Sequence, residues 1–261
     1  MKPLAALMGT AIVLALALQA NAQVADPKVA DAKPGDVRVL ATAAIREPLN
    51  AVLRQAEMAI GKPIVVEYGS ARGNLKDEIL KGQGFEVAIL LPDVDDEIQA
   101  AGKIASDRFE IARVPVAFGL RGAAPNLDVK SPAAVKAAML NAKSVKYAPT
   151  GAALMTVEKI LSTLGIAGKI HDSSTVQTEV PLAPGEYEIN IYPLSEIIPN
   201  KKVKNLGAVT AQLQVPVIIE ATVGKNTAEP KAARALIRFL QGPAIDQALK
   251  DDGMEKGRIG K

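Results

Sequence analysis

The 261-residue sequence has no cysteine, no tryptophan and a single histidine. Without cysteine there is no disulfide framework and no thiolate nucleophile. One histidine and no cysteine leave nothing from which to assemble a transition-metal site of the usual His/Cys type, so no metal centre is expected. A Ser–His–acid arrangement would have to use His171, which follows a turn in a polar stretch and reads as a surface residue. Aromatic residues make up 3% of the chain, too few for the stacking platforms that hold sugars or nucleobases. There is no Walker A sequence, no G-x-S-x-G elbow and no metal-ligand pair at helical spacing. No catalytic residue and no cofactor are therefore expected, although a pair of carboxylates is open to any chain with this many acids.

Charge of one sign is also lacking. Lys and Arg number 31 against 28 Asp and Glu, a net charge of +3, and the two signs are interspersed. No basic block points to nucleic acid, and the balance reads as a solvated surface with a mild bias towards anions. Long apolar runs are absent after the first segment, and none approaches the roughly 20 residues that spanning a membrane requires.

That first segment is informative. Lys2 supplies a short positive region, Leu4 to Leu18 is uncharged and apolar, and Ala20-Asn21-Ala22 places small residues where a signal peptidase reads them. A secretory signal over residues 1–22 is expected, cleaved after Ala22, with a soluble mature protein in the periplasm. With no cysteine, lipid attachment at the cleavage site is not available.

Beyond a polar lead-in to Gly35, strand and helix patterns alternate. Val37 to Ala41 reads as a strand, and Leu49, Val52, Leu53, Ala56 and Ile60 recur at helical spacing until Gly61. Ile64 to Tyr68 is a second strand, and the helix after it turns Leu75, Ile79 and Leu80 to one face before Gly82. Phe85 to Leu91 is a nearly continuous apolar run, as expected of a strand covered on both faces. After a crossing segment the pattern resumes with a long strand, Val114 to Leu120. Ser131-Pro132 starts a helix, Val145 to Ala148 is a strand, and a helix with Val157, Ile160, Leu161 and Leu164 inward ends at Gly165. Tyr187 to Tyr192 and Val215 to Val223 are further strands, and Pro230 to Leu240 is an amphipathic helix.

Strands separated by helices imply βαβ units. The expected fold is α/β with two lobes, each a mostly parallel sheet flanked by helices. Lobe 1 takes residues 36–112 and 213–261, lobe 2 takes 116–207, and the hinge lies near 112–118 and 206–216. Ligands of open parallel sheets sit beyond the carboxyl ends of strands, so two facing lobes would present their strand-to-helix loops across one cleft.

Four stretches, in order, carry a resemblance. Val39-Leu40-Ala41-Thr42-Ala43-Ala44 is one. Tyr68-Gly69-Ser70-Ala71-Arg72-Gly73-Asn74-Leu75, with Ile79, Gly82 and Glu86-Val87 after it, is the second. Tyr147-Ala148-Pro149-Thr150-Gly151-Ala152, with Leu164-Gly165-Ile166, is the third, and Gly185-Glu186-Tyr187-Glu188-Ile189-Asn190-Ile191, continuing to Leu194-Ser195-Glu196-Ile197, is the fourth. Together, from about Val37 to Gly253, they resemble the less characterised branch of the molybdate-binding-like solute-binding proteins of ABC transporters. The resemblance implies the type 2 periplasmic binding fold, a small anionic ligand, a membrane permease as partner and a monomer. The molybdate binders proper hold the oxyanion with a tyrosine where Pro193 stands here, one residue after Tyr192. They commonly offer a serine where Thr42 stands. These departures turn the expectation from molybdate itself to a small oxyanion or organic acid.

The candidate ligand-binding residues follow from the loops. Thr42 and Ala43 offer a hydroxyl and an amide at the first turn, unless this is plain packing at a strand end. Ser70, Ala71 and Arg72 precede a helix, whose first turn presents unpaired N–H groups to an anion. Ser70 is equally suited to capping that helix, and Arg72 to a bidentate carboxylate clamp or a solvated surface position. Gly151 and Ala152 repeat the arrangement on the other lobe. Tyr192 offers a phenol, or packs as a half-buried tyrosine. The role of Glu196 is open. The functional expectation is a periplasmic carrier that closes on its ligand by hinge motion. A sensor presenting the ligand to a membrane receptor is the alternative, with an enzyme behind it.

Overall fold

The computed structural model describes residues 32–124, 127–175 and 178–258. The expected secretory signal over residues 1–22 lies outside them. Among the described residues no helix is long and apolar enough to cross a membrane.

The first half builds one sheet. Its elements are β1 (Val37–Thr42), α1 (Arg46–Ile60), β2 (Ile64–Gly69), α2 (Lys76–Lys81), β3 (Val87–Leu90), α3 (Pro92–Ala100) and β4 (Ile104–Val114). A second sheet follows with β5 (Val116–Gly122), α4 (Pro132–Asn141), β6 (Ser144–Lys146), α5 (Leu154–Leu164), β7 (Tyr187–Pro193), α6 (Leu194–Ile197) and β8 (Lys204–Ala208). The chain then returns through β9 (Val217–Gly224), α7 (Pro230–Gln241), α8 (Asp246–Asp251) and β10 (Glu255–Lys256). Strand order is β10-β4-β9-β3-β1-β2 in the larger sheet and β6-β7-β5-β8 in the smaller. The last helices pack against α1, which returns the C-terminal segment to the first lobe.

Periodicity explains most of this. All four residues of β3 are buried, which is why that stretch is an apolar run instead of an alternating one. On α1 the buried residues Leu49, Val52 and Ala56 recur at three- and four-residue steps, the stripe a surface helix lays on a sheet. Of the described helices, α4 alone has a side-chain cap: the Ala134 amide donates to Ser131 Oγ at 3.2 Å, with Pro132 in the first turn. Ser131→Ala should therefore cost about 1 kcal/mol of stability, measured as a lower urea midpoint at unchanged m-value.

Three expectations are corrected by the structure. First, the long strand expected at Val114–Leu120 is broken at Pro115 into β4 and β5, which belong to different sheets. Proline has no N–H for a ladder, and the chain uses that gap to pass from one lobe to the other. The segment read as a crossing holds α3 and most of β4 instead. Second, among the named strands parallel pairing is confined to β1 with β2, β1 with β3 and β6 with β7. Most strands in each sheet do run the same way, but β9 is inserted between β3 and β4, and β5 between β7 and β8, in the opposite sense. These two reversed strands adjoin the crossings, and the short edge strand β10 is a third, antiparallel to β4. Third, Leu80 is 39% exposed while Leu75 and Ile79 are fully buried. On a six-residue helix the position next to Ile79 has turned off the packed face.

The two crossings lie side by side. At their start Val114 pairs with Val217, and beyond Pro115 the Gln214 side chain takes over as a strand partner. It accepts from the Val116 amide at 3.0 Å and donates to the Val116 carbonyl at 3.0 Å. A side chain in place of a backbone ladder completes the hydrogen bonding at the junction while leaving it narrow.

Candidate functional site

The loops after β1, β2 and β6 and the end of β7 meet between the two sheets. They enclose a cavity of about 110 Å³ whose lining includes Thr42, Ala43, Ser70, Gly151, Ala152 and Tyr192. Six of the eight residues expected at the site are thus brought together, three from each lobe. Glu196, whose role was open, joins them from α6, while Ala148, Ala153 and Pro193 supply apolar wall.

The other two expected residues are placed elsewhere. Ala71 is fully buried beneath its turn and is not part of the lining. Arg72 faces a neighbouring groove, lined by Leu91, Asp93, Met155 and Ile218 among others. Its guanidinium grips Asp93 with two bonds, Nε to Oδ2 at 2.6 Å and Nη2 to Oδ1 at 3.0 Å. The remaining nitrogen, Nη1, donates to the Gly151 carbonyl of the opposite lobe at 2.7 Å. The fork that would hold a ligand carboxylate is already filled by a protein carboxylate. Arg72 ties lobe to lobe.

Ser70 does the same. Its Oγ donates to the Thr150 carbonyl at 2.6 Å and lies 2.8 Å from the Thr150 hydroxyl. It caps no helix, because the helix expected directly after it is replaced by a wide turn, Ala71–Leu75, with Gly73 outside helical geometry. Gly73 sits where a Cβ would come within 2.9 Å of Thr150 Oγ1, so a side chain there would hold the loops apart. The Arg72 amide donates to the Thr150 carbonyl at 3.2 Å, and Ser195 Oγ from α6 donates to the Ala44 carbonyl at 2.7 Å. The first lobe's wide turn is therefore engaged in lobe-to-lobe contact more than in offering free amides.

Donors remain on the second lobe. At the start of α5, the Ala152 and Ala153 amides have no hydrogen-bond partner among the described residues. Helix starts leave such N–H groups open and carry a partial positive charge. Tyr192 is recessed, and burial, then the nearby Glu196 and Glu188 charges, push its phenol up to about 12. It is a hydrogen-bond donor throughout the working pH range. Burial also raises the Glu196 carboxyl, to about 7, against a lowering pull from Arg46. Among the described residues no cationic side chain lines the cavity.

Two acids in the resemblance motifs have a different job. Glu86 is buried and takes three hydrogen bonds from Arg38, at 2.9, 2.8 and 2.8 Å. Burial would raise its carboxyl, but these bonds outweigh it and hold the group below the usual carboxylate range. Glu188, also buried, accepts from Arg121 at 3.0 Å and Ser144 at 2.6 Å, and is lowered in the same way against its burial. Both are structural ion pairs, one in each lobe. His171 is exposed, as expected, and Lys202 pairs with Glu179 at a solvated turn. Among the described residues no group of three or more His, Cys, Asp or Glu is arranged to hold a metal.

With this geometry in view, residues 37–255 match the family model described as bacterial extracellular solute-binding protein. The chain is 21% identical over 249 residues to the aconitate isomerase of a Pseudomonas species, covering 92% of this chain and 95% of the relative. It is 25% identical over 234 residues to the molybdate-binding protein ModA of Azotobacter vinelandii, covering 85% and 90% respectively. Among solved structures, the periplasmic molybdate-binding protein of Azotobacter vinelandii superposes with a TM-score of 0.63 at 20% identity. It covers 86% of this chain and all of that one. That likeness establishes the two-lobed type 2 periplasmic binding fold.

Proposed function

The chain belongs to the bacterial extracellular solute-binding protein family, and from that premise we propose that it captures a small anion in the inter-lobe cavity and delivers it to an ABC permease. The observation that carries this reading is the cavity itself: donors from both lobes line it, and direct hydrogen bonds between Ser70, Arg72 and the Thr150–Gly151 turn close it. A cavity of about 110 Å³ is well below the roughly 300–1,000 Å³ of sites for drug-sized ligands. It suits a tetrahedral oxyanion or an acid of a few carbons. Of the expected site residues, Thr42, Ala43, Gly151, Ala152 and Tyr192 form the binding set, and Ser70, Ala71 and Arg72 support closure. Capture in the periplasm, after removal of the signal segment, and hinge closure that presents the bound form to the permease complete the cycle.

A thermal-shift panel tests it. Molybdate, sulfate, phosphate and small mono-, di- and tricarboxylates are compared with neutral sugars and with amines. A ligand that binds the native state alone raises Tm in a concentration-dependent way. At least one small anion is expected to do so, and no sugar or amine. A panel in which only a cationic or neutral solute shifts Tm would remove the reading.

A second reading, an isomerase acting on a small acid, is favoured by one observation. Glu196 stands in the anion cavity with a carboxyl raised to about 7, the value that suits a general base at neutral pH, and a full-length relative is an aconitate isomerase. Mass spectrometry and NMR of the acid after incubation separate the two. A carrier returns it unchanged, whereas an isomerase returns a mixture.

A further inference from the structure

Glu196 is out of place in a site for anions. A carboxylate facing a bound anion repels it unless a hydrogen lies between them, and a half-buried charged acceptor without a donor loses hydration that nothing replaces. Yet this carboxyl lines the cavity with Tyr192, Thr42 and the Ala152–Ala153 amides, and the described hydrogen bonds include none to it. The one charge acting on it is that of Arg46 on α1, which stacks at 4.4 Å on the Tyr68 ring. The Tyr192 phenol on β7 is the titratable neighbour whose own ionisation Glu196 opposes. The cavity lining therefore combines groups that donate, the amides and hydroxyls, with one carboxyl that accepts.

We propose that Glu196 selects for an anion that carries its own O–H beside its negative charge, a monohydrogen oxyanion or a small hydroxy acid, and selects against the fully deprotonated or hydroxyl-free counterpart. This rests on the inter-lobe cavity being the ligand site. The negative group meets the Ala152 and Ala153 amides and the Tyr192 and Thr42 hydroxyls. The O–H donates to Glu196, which turns an unpartnered acid into a satisfied one. A ligand without that hydrogen leaves two negative groups facing each other in a small cavity, which is how repulsion yields discrimination. The carboxyl, held near pH 7, adds a signature. Below that pH it is neutral and tolerates a bare dianion by donating its own hydrogen. Above it the bare dianion is rejected.

The test uses matched pairs: phosphate against sulfate, and glycolate against acetate, titrated calorimetrically into the full mature protein at pH 6 and pH 8. At pH 8 the member with the O–H should bind at least tenfold tighter in whichever pair fits the cavity, and sulfate or acetate should regain affinity at pH 6. Glu196→Gln, which is neutral at both pH values, should narrow the gap and abolish the pH dependence of the bare anion. Equal affinities within both pairs at pH 8, or a gap that survives in Glu196→Gln, would overturn the proposal while leaving an anion carrier intact. A protein that binds none of the four at either pH, yet shifts Tm with some other anion, overturns the proposal alone. If no anion binds, the carrier reading falls with it. Circular dichroism and the urea midpoint of the variant establish that it is folded.

Discussion

Replacing Asp95 with Asn is expected to stabilise the protein by roughly 3–4 kcal/mol more at pH 8 than at pH 5. Asp95 lies in the first turn of α3 and is fully buried. Among the described residues neither of its carboxyl oxygens has a hydrogen-bond partner, and Glu220 Oε2 and Thr222 Oγ1 are likewise unpartnered. Arg108 spends its guanidinium on Asp96 at 2.7 Å and on Gln99, approaching Glu220 only to 4.0 Å. Burial, reinforced by the Glu220 charge, pushes the Asp95 carboxyl up to about 8. The folded value thus lies above the unfolded one of about 3.9. Between those values the folded protein holds a proton that the unfolded chain has lost, so stability falls as pH rises from about 4 to about 8 and levels off beyond. Asparagine has no proton to lose, so the variant should lack that slope. Glu220, also raised by burial, leaves a smaller one. Urea unfolding at pH 5, 6, 7 and 8 measures this, and parallel pH profiles for the two proteins would show that Asp95 is ionised in the fold.

How far the sequence anticipates these features depends on the range of the interaction. Elements with a strong period are readable because their cause is local. The stripe on α1 and the apolar run of β3 announce their burial without any knowledge of their partners. The convergence of Thr42, Ser70, Gly151 and Tyr192 was also legible, since loops beyond the carboxyl ends of parallel strands meet at one edge. What those residues touch was not. Ser70 and Arg72 find their partners at Thr150 and Gly151, about 80 residues further along, and nothing near Arg72 in sequence distinguishes a ligand clamp from a bridge between lobes. Asp93 is the partner that decides it, and it sits in α3, inside the stretch read only as a crossing. Glu196 was visible as an acid in a motif, but its meaning depends on the absence of a partner, which only the packed fold reveals. The break at Pro115 had a local signal, a proline inside a strand pattern. The apolar residues on either side of it mask that signal.

Arg72→Ala should weaken every ligand of the inter-lobe cavity by about 10- to 100-fold, irrespective of ligand chemistry. The Arg72 side chain is 13% exposed, so its bonds are only partly screened, and a hydrogen bond from a charged group contributes about 1.5–3 kcal/mol. The bond to the Gly151 carbonyl exists only while the lobes touch. Removing it lowers the population of the closed form, and apparent affinity falls by the same factor for any ligand that requires closure. The loss should appear mainly as faster release, because closure holds the ligand after it has entered. Asp93→Asn should do part of the same damage, since Asp93 aims the guanidinium across the gap. Arg72→Lys should fall between, keeping the charge but losing the fork. A clamp on the ligand itself would give a different pattern, with carboxylates losing affinity and tetrahedral oxyanions keeping theirs. Stopped-flow release rates for one ligand of each kind discriminate between the two. A uniform acceleration assigns Arg72 to closure, and a selective one returns it to the binding set.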